Sequence, residues 1–295
     1  MTSPSARIGD TVDEIDTPAL VVDLDALEYN LRRLAESARA AGVRLRPHAK
    51  THKCPTIALR QIALGAIGQC CQKVGEAEAL VHGGVGDVLV PNQIVGSHKL
   101  RRLAALARDA TVALCFDAVE QIEAASAVAC ELGVELGGLV EIEVGMQRCG
   151  VPPGEPARDL ARRIGQSRGL RFRGLQAYYG TAQHLRSFAE REHAIQTAAS
   201  AVRQTVDLLR RDGLECELIT GAGTGTYEIE AASGLWNELQ AGSYVFMDVD
   251  YSRIDGRDGD RFADFRHSLF VLATVMSVPT ADRAIVDAGL KSYSA

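Results

Sequence analysis

The sequence lacks any apolar run of the roughly 20 residues that a membrane span needs. The N-terminal segment MTSPSARIGDTVDEIDTP also lacks the apolar core of a signal peptide, so we expect no membrane partner. An excess of positive charge is missing as well, because 32 Lys and Arg stand against 38 Asp and Glu, for a net charge of −6. This balance, with a pI of about 5.7, excludes a general nucleic-acid binder, which would carry a broad basic face.

Two common signatures of nucleotide binding are missing too. The sequence contains neither GxxxxGK[ST] nor a GxGxxG that opens a helix after the first strand. Cysteine occurs seven times, at irregular spacing and without an export signal. This usage predicts reduced thiols in a cytoplasmic protein.

Short apolar runs alternate with segments of helical periodicity along most of the chain. The pattern predicts eight strands, namely VRLRPHA, IGQCCQ, DVLVPN, TVALCFD, GLVEIEV, FRGLQAYY, CELITGAG and ELQAGSYVF. Helical segments lie between them, most clearly at Phe188–Leu209, and crossovers of this length imply parallel pairing. The economical closed arrangement is a (β/α)8 TIM barrel over roughly residues 44–250 with mostly apolar strand bodies.

Polar and reactive residues collect where the predicted strands end. They are Lys50, Gln72, Asn92, Asp117, Arg148, Tyr178, Tyr179, the run GAGTGT at 221–226 and residues 244–248. Because active sites of such barrels lie at the carboxyl ends of the strands, this distribution predicts a site at that face.

The two ends of the chain depart from the alternation. ALVVDLDAL predicts a strand and then a helix with Asp25 as N-cap, whereas HSLFVLATVMSVP and RAIVDAGLK predict two strands without a helix between them. We therefore divide the chain into an N-terminal strand and helix at 1–43, a barrel at 44–262 and the start of an antiparallel β domain at 263–295. The N-terminal strand is expected to pack with this β domain.

A cluster of potential cations, RPHAKTHK at 46–53, is conspicuous in an acidic chain. Neighbouring cations lower an ammonium pKa, so Lys50 could form a Schiff base with a carbonyl compound, although an ordinary solvated lysine is the simpler alternative. The glycine run after the seventh strand could bind phosphate through backbone amides, or it could be an ordinary turn. A Schiff-base lysine and a phosphate site across one barrel mouth together predict pyridoxal phosphate.

Seven segments of the sequence resemble one group of pyridoxal-phosphate enzymes, in order from about residue 16 onwards. They are RPHAKTHK, GQCCQKVGEAEAL, VEIEVGMQRCGV, GLQAYYGTAQH, ITGAGTGTYE, NELQAGSYVFMDVDY and AIVDAGLKS. The group contains D-threonine aldolase and 3-hydroxy-D-aspartate aldolase, among the D-serine dehydratase-like enzymes with a barrel of the alanine racemase N-terminal type (fold type III). The resemblance implies a carbon–carbon lyase that cleaves a small D-3-hydroxy amino acid to glycine and an aldehyde or glyoxylate.

The resemblance also implies roles for individual residues. Lys50 would hold pyridoxal phosphate, and His184 would be the general base on the substrate hydroxyl. The cofactor contacts would be Gln72 and Tyr178 at the ring, Arg148 at the pyridine nitrogen, and Gly223, Thr224, Gly225 and Tyr244 at the phosphate.

Members of this group are longer than the present chain. Their additional part completes the β domain and carries a His-x-Asp or His-x-Cys motif for a divalent metal (Mn, Mg or Zn). After Leu290 this sequence has only KSYSA. We therefore expect a truncated β domain without those metal ligands, exposed strand edges that favour association, and a homodimer for a full-length chain.

Two alternatives to an aldolase remain, and a third is disfavoured. A dehydratase of the D-serine kind would use the same cofactor, and a non-catalytic pyridoxal-phosphate carrier would need only the barrel. A racemase is disfavoured, because alanine racemases have a tyrosine four residues beyond the lysine, where this chain has Cys54.

Three residue pairs have simple interpretations. The spacing of His48 and His52 would suit a metal on a helix, but the extended context of the segment spoils that geometry. For Cys70 and Cys71 we expect one side chain inside the barrel and the other against a helix. Glu141 and Glu143 could bind a cation, or they could balance the charge of nearby arginines inside the barrel.

Overall fold

The computed structural model describes residues 6–293. The strands are β1 (Ala19–Val22), β2 (Arg44–Leu45), β3 (Gln69–Cys70), β4 (Asp87–Val90), β5 (Thr111–Phe116), β6 (Leu136–Glu141), β7 (Leu170–Ala177), β8 (Leu218–Gly221), β9 (Glu238–Leu239), β10 (Leu269–Leu272), β11 (Val275–Thr280) and β12 (Arg283–Val286). The α-helices are α1 (Leu24–Ala40), α2 (Pro55–Ala63), α3 (Val74–His82), α4 (Ser97–Ala105), α5 (Val119–Leu132), α6 (Glu155–Gln166), α7 (Phe188–Arg211) and α8 (Tyr227–Ala232).

Strands β2 to β9 pair in parallel as an eight-stranded sheet of order β2-β9-β8-β7-β6-β5-β4-β3. Its edges meet where the N–H groups of Ile67 and Cys70 donate to the carbonyls of Leu45 and Pro47, at 2.9 and 2.8 Å. The predicted (β/α)8 barrel is confirmed. Three of its strands, β2, β3 and β9, are only two residues long, and single 3-10 turns at 49–51 and 243–245 follow β2 and β9.

The apolar core has two layers, one on each side of the barrel wall. Val88 and Val90 of β4 belong to the large cluster under the helices, whereas Leu89 lies in a small cluster inside the barrel. This split follows from the alternation of side chains along a strand. Cys70 and Cys71 divide in the same way, inside and outside, as predicted.

The barrel interior also contains a buried polar chain, so the expectation of mostly apolar strand bodies was incomplete. It begins at an ion pair in which Arg46 Nε lies 3.1 Å from Glu238 Oε1. The Thr220 hydroxyl donates to the same carboxylate, and Gln240 Nε2 donates to Thr220 Oγ1, both at 2.8 Å. Gln240 and Gln176 then exchange two hydrogen bonds of 3.0 and 2.8 Å. We call these five residues the polar ladder.

The N-terminal strand pairs with the tail, as predicted. Strand β1 is antiparallel to β10, and β11 is antiparallel to β12, which gives three tail strands where we expected two. Helix α1 begins two residues earlier than expected, because Asp23 rather than Asp25 is the N-cap and accepts the N–H of Ala26 at 2.9 Å. The division into domains stays a prediction.

Helix α7 is the long helix that the sequence predicted, and it ends at Arg211, directly before Asp212 and Gly213. Its N-terminus is fixed by a capping box in which Ser187 and Glu190 bond reciprocally to each other's backbone N–H groups. Throughout residues 6–293, no helix combines the length and the apolar composition that a membrane span requires.

Candidate active site

A cavity of about 240 Å³ opens at the carboxyl ends of the barrel strands. Seven of the nine predicted site residues form part of its wall, namely Lys50, Gln72, Arg148, Tyr178, His184, Gly223 and Thr224. They come from loops after five different strands, β2, β3, β6, β7 and β8. The structure therefore brings together side chains that are up to 174 residues apart (224 − 50) in the sequence.

Lys50 lies in the 3-10 turn after β2, and its backbone N–H donates to His48 Nδ1 at 3.4 Å. Partial enclosure by the cavity wall, and then the charge of Arg148, lower the pKa of the Lys50 amine. Burial lowers the pKa of His48 to about 3, so that imidazole is neutral and adds no charge. Lys50 is thus a better nucleophile at neutral pH than an ordinary surface lysine.

Arg148 is held at the cavity by a buried carboxylate. Its Nη2 lies 3.2 Å from Oε1 of Glu141, whose other oxygen accepts a hydrogen bond from Gln93. Burial raises the pKa of Glu141, and the hydrogen bond from Gln93 and the charge of Arg148 oppose that rise. The guanidinium also lies 5.9 Å from the ring centre of Tyr178. The interpretation of Glu141 as a partner for an arginine is confirmed.

Glu143 has a different task from Glu141. Its Oε1 accepts the backbone N–H groups of Gly145 and Gln147, at 2.7 and 2.9 Å. These bonds order the turn that leads into Arg148, so Glu143 contributes to the site through the backbone rather than by balancing an arginine.

Two loops contribute backbone with small side chains to the cavity wall. Gly223 and Thr224 follow β8, and Gly242 and Ser243 follow β9. In the described part of the chain none of these four N–H groups has a hydrogen-bond acceptor. A Cβ at Gly223 would stand 2.5 Å from Gln183 Oε1, so only glycine lets the loop lie this close. Unpaired backbone amides from neighbouring loops can form a concave site for an anion; we call these four N–H groups the amide nest.

Gly225 and Tyr244, the other two predicted phosphate contacts, lie behind the cavity wall. The N–H of Gly225 donates to Gln183 Oε1 at 3.0 Å. The Tyr244 hydroxyl accepts from Gln61 at 2.8 Å, and its N–H donates to Thr224 Oγ1 at 3.0 Å. Both residues therefore shape the two loops of the amide nest, and their direct contact with a bound phosphate stays a prediction.

His184 ends a single 3-10 turn after β7, on the cavity wall. Its Nδ1 is hydrogen-bonded to Asp250 Oδ2, and its ring centre lies 5.6 Å from that of Tyr251. Sequence reasoning missed Asp250, although two acids close together in MDVDY, directly after the last barrel strand, were a usable signal.

In the described chain, four residues other than glycine adopt a left-handed backbone, with φ between 49° and 69°; they are Lys53, Gln147, Ala222 and Met247. Each is within three residues of a residue that lines the cavity: the respective neighbours are Lys50, Arg148, Gly223 and Asp248. Such conformations cost roughly 1–3 kcal/mol each and concentrate at functional sites. Their distribution is independent support for a site at this face.

No metal centre is evident in the part of the chain that the structure describes. Within residues 6–293 no three His, Cys, Asp or Glu side chains are grouped to hold an ion. One His-x-Cys triplet does occur, at 52–54, but His52 Nδ1 accepts the N–H of Cys54 at 3.1 Å and is not arranged as a ligand. His48 and His52 likewise form no metal pair, because the Nδ1 of His48 accepts the N–H of Lys50.

Glu230 of α8 is a fully buried carboxyl group next to the site. Burial raises its pKa to about 8, and the nearby Thr226 hydroxyl opposes that rise only in part. The folded state therefore keeps the proton in a pH range where the unfolded state loses it. Stability from this group is complete below the ordinary carboxyl pKa and is lost as pH rises towards 8.

We expect Glu230→Gln to stabilise the protein at pH 7, by about 1–3 kcal/mol, and to have no effect at pH 4.5. The amide needs no proton to stay neutral, so the pH-dependent cost disappears. Urea unfolding from pH 4.5 to 8 measures the difference, with Glu228→Gln on the same helix as control, since Glu228 is partly exposed and paired with Arg257 at 3.2 Å. A difference between wild type and Glu230→Gln that stays constant with pH would contradict the assignment.

The sequence is similar to that of proteins from one enzyme family, in agreement with the barrel and the site described above. Residues 22–250 match the family model described as alanine racemase, N-terminal domain. D-threonine aldolase from Arthrobacter sp. is 47% identical over 292 residues, which cover 99% of this chain and 76% of that protein. 3-Hydroxy-D-aspartate aldolase from Paracoccus denitrificans is 45% identical over 285 residues, 95% of this chain and 74% of its own.

A solved structure extends the match to three dimensions. The crystal structure of D-threonine aldolase from Filomicrobium marinum superposes with a TM-score of 0.94 at 49% identity. The alignment covers 97% of this chain and 77% of that one. The chain therefore belongs to the alanine racemase N-terminal domain family, in the group that contains D-threonine aldolase and 3-hydroxy-D-aspartate aldolase.

Proposed function

We propose that this chain is a pyridoxal-phosphate-dependent aldolase that cleaves a D-3-hydroxy amino acid to glycine and an aldehyde or glyoxylate. The observation that carries the proposal is one cavity wall that combines an activated amine, a nest of unpaired amides and an imidazole. Relatives named as aldolases on D-threonine and on 3-hydroxy-D-aspartate, at 47% and 45% identity respectively, support the same reaction class.

The residues present fit pyridoxal phosphate. The Lys50 amine is the group that would bind its aldehyde, and the amide nest would take its phosphate. Arg148 would face the pyridine nitrogen, and because a guanidinium only donates hydrogen bonds, that nitrogen would stay unprotonated. Gln72 and Tyr178 border the remaining space. When bound, the cofactor supplies an electron sink for charge left on the amino-acid carbon.

The chain's own contribution to the reaction is orientation and proton transfer. His184 is the base that takes the proton of the β-hydroxyl, for which a neutral imidazole is well suited. Arg148 and the amide nest bring two fixed sets of donors to the cavity, and these would hold the reacting groups in one orientation. The residues described here do not fit a metal, so no step is assigned to one.

Product analysis tests the proposal. The chain is incubated with pyridoxal phosphate and, in parallel, D-threonine, 3-hydroxy-D-aspartate and L-threonine. We expect glycine with an equimolar aldehyde or glyoxylate from at least one D substrate and none from L-threonine. Ammonia with a 2-keto acid would instead identify a dehydratase, and bound cofactor without either product would identify a carrier. Parallel assays with Mn²⁺ and with a chelator test the metal that the resemblance implies.

A further inference from the structure

We propose that Asp250 is a positioning residue that fixes the tautomer of His184, so that Nδ1 carries the hydrogen and Nε2 faces the substrate. The proposal deepens the function proposed above and rests on it. It concerns a residue that no motif in the sequence singled out, and it names which nitrogen acts as the base.

The placement of the two side chains defines which nitrogen faces which partner. The His184 ring forms part of the cavity wall, whereas Asp250 does not line the cavity and reaches Nδ1 from outside it. An ionised carboxylate only accepts hydrogen bonds, so the hydrogen between the two groups belongs to Nδ1. Nε2 then has the free lone pair, and it is the ring nitrogen that is left to accept a proton from a substrate in the cavity.

The backbone around Asp250 keeps this arrangement in place. Asp250 directly precedes a 3-10 turn at 251–253, and its carbonyl accepts the N–H of Arg253 at 3.0 Å. Asp248, two residues earlier, accepts the N–H of Tyr251 at 2.8 Å. Tyr251 is buried and packs its ring against His184. Of the two nearby acids, one therefore orders the turn and the other binds the imidazole.

The proton and electron balance of the step is simple. The β-hydroxyl proton moves to Nε2 of His184, and the O–H electron pair becomes the second carbon–oxygen bond of the released aldehyde. The Cα–Cβ pair stays on the amino-acid carbon, which later takes up a proton to give glycine. The imidazolium that forms lies against the Asp250 carboxylate, and this opposite charge stabilises it.

Steady-state kinetics of Asp250→Asn and Asp250→Ala test the role in the complete chain with pyridoxal phosphate. We expect kcat to fall by about 10- to 100-fold, less than the roughly 10²–10⁴-fold that loss of the general base itself would cost, with KM changed less than about threefold. Asp250→Glu should recover part of kcat, because it restores a carboxylate. Asp258→Asn, at an exposed acid nearby in sequence, is the matched control and should keep wild-type kcat.

Histidine NMR tests the tautomer without any need for turnover. The chain has seven histidines, so ¹⁵N-histidine labelling gives a tractable spectrum, and the His184 signals are those missing from His184→Gln. At pH 8 we expect the Nδ1–H form in the wild type and its loss in Asp250→Ala. A wild-type ring protonated at Nε2, or one unaffected by Asp250→Ala, would overturn the proposal.

The two experiments separate the inference from the proposed function. If the wild type makes no glycine but shows the Nδ1–H form controlled by Asp250, the aldolase proposal fails and the positioning of His184 stands. If the wild type cleaves its substrate and Asp250→Asn cleaves equally fast, the aldolase proposal stands and the role of Asp250 is refuted.

Discussion

Lys50→Ala is expected to abolish covalent binding of pyridoxal phosphate and to lower glycine formation by at least about 10³-fold. Among the cavity residues only Lys50 offers a primary amine, so the variant has no group to form the Schiff base. The visible absorption band of the bound cofactor should be lost together with activity. Absorbance spectra and an assay for glycine measure the two effects.

Borohydride reduction provides the direct control for this assignment. Reduction of the wild type followed by peptide mapping should place the pyridoxyl group on Lys50. Lys53→Ala is the matched variant, because Lys53 lines a separate small cavity beside α3 and not the candidate active site. It should keep both the label and the activity. A label on Lys53, or an active Lys50→Ala, would remove Lys50 from the mechanism.

His184→Ala should lower kcat by roughly 10²–10⁴-fold while the cofactor band stays in place. His184 is exposed at the cavity mouth, so its removal takes away the base without disturbing the core. Steady-state kinetics on the best D substrate, with absorbance of the bound cofactor, separate a catalytic defect from a binding defect.

His193→Ala is the appropriate comparison for His184→Ala. His193 is exposed on α7 and lines a different groove, so its loss should leave kcat within about twofold. Full activity in His184→Ala would show that another group takes the proton. Equal loss in both variants would point to a general effect on the fold.

Much of the barrel could be predicted from the sequence, because short apolar strands separated by long crossovers leave few closed arrangements. The position of the site could be predicted for the same reason, since Lys50 and Arg148 both follow predicted strands and parallel strands end at one face. The short lengths of β2 and β9 could not be predicted, because they depend on where the chain leaves the sheet for the 3-10 turns at 49–51 and 243–245.

Which loop residues face the cavity could not be predicted from the sequence. Gly225 lies in the predicted glycine run, yet its N–H is taken by Gln183, a contact across 42 residues. Tyr244 has the size and polarity of a ligand contact but is only 1% exposed. Glu230 has the opposite character, because its sequence position suggests a solvated helix and the structure buries it completely. Such differences depend on tertiary packing, which local pattern does not encode.

The polar ladder links the Arg46–Glu238 ion pair, through a chain of hydrogen bonds, to the two glutamines that line the cavity. Beside Arg46, the carboxylate of Glu238 can only accept, so Thr220 must donate to it and in turn accept from Gln240. These bonds fix the orientation of the Gln240 side-chain amide. The two hydrogen bonds between Gln240 and Gln176 then fix the amide of Gln176 on the cavity wall. A substitution of Arg46 or Glu238 can therefore change whether Gln176 and Gln240 turn an amide oxygen or an amide nitrogen towards the cavity, although neither substituted residue lines it.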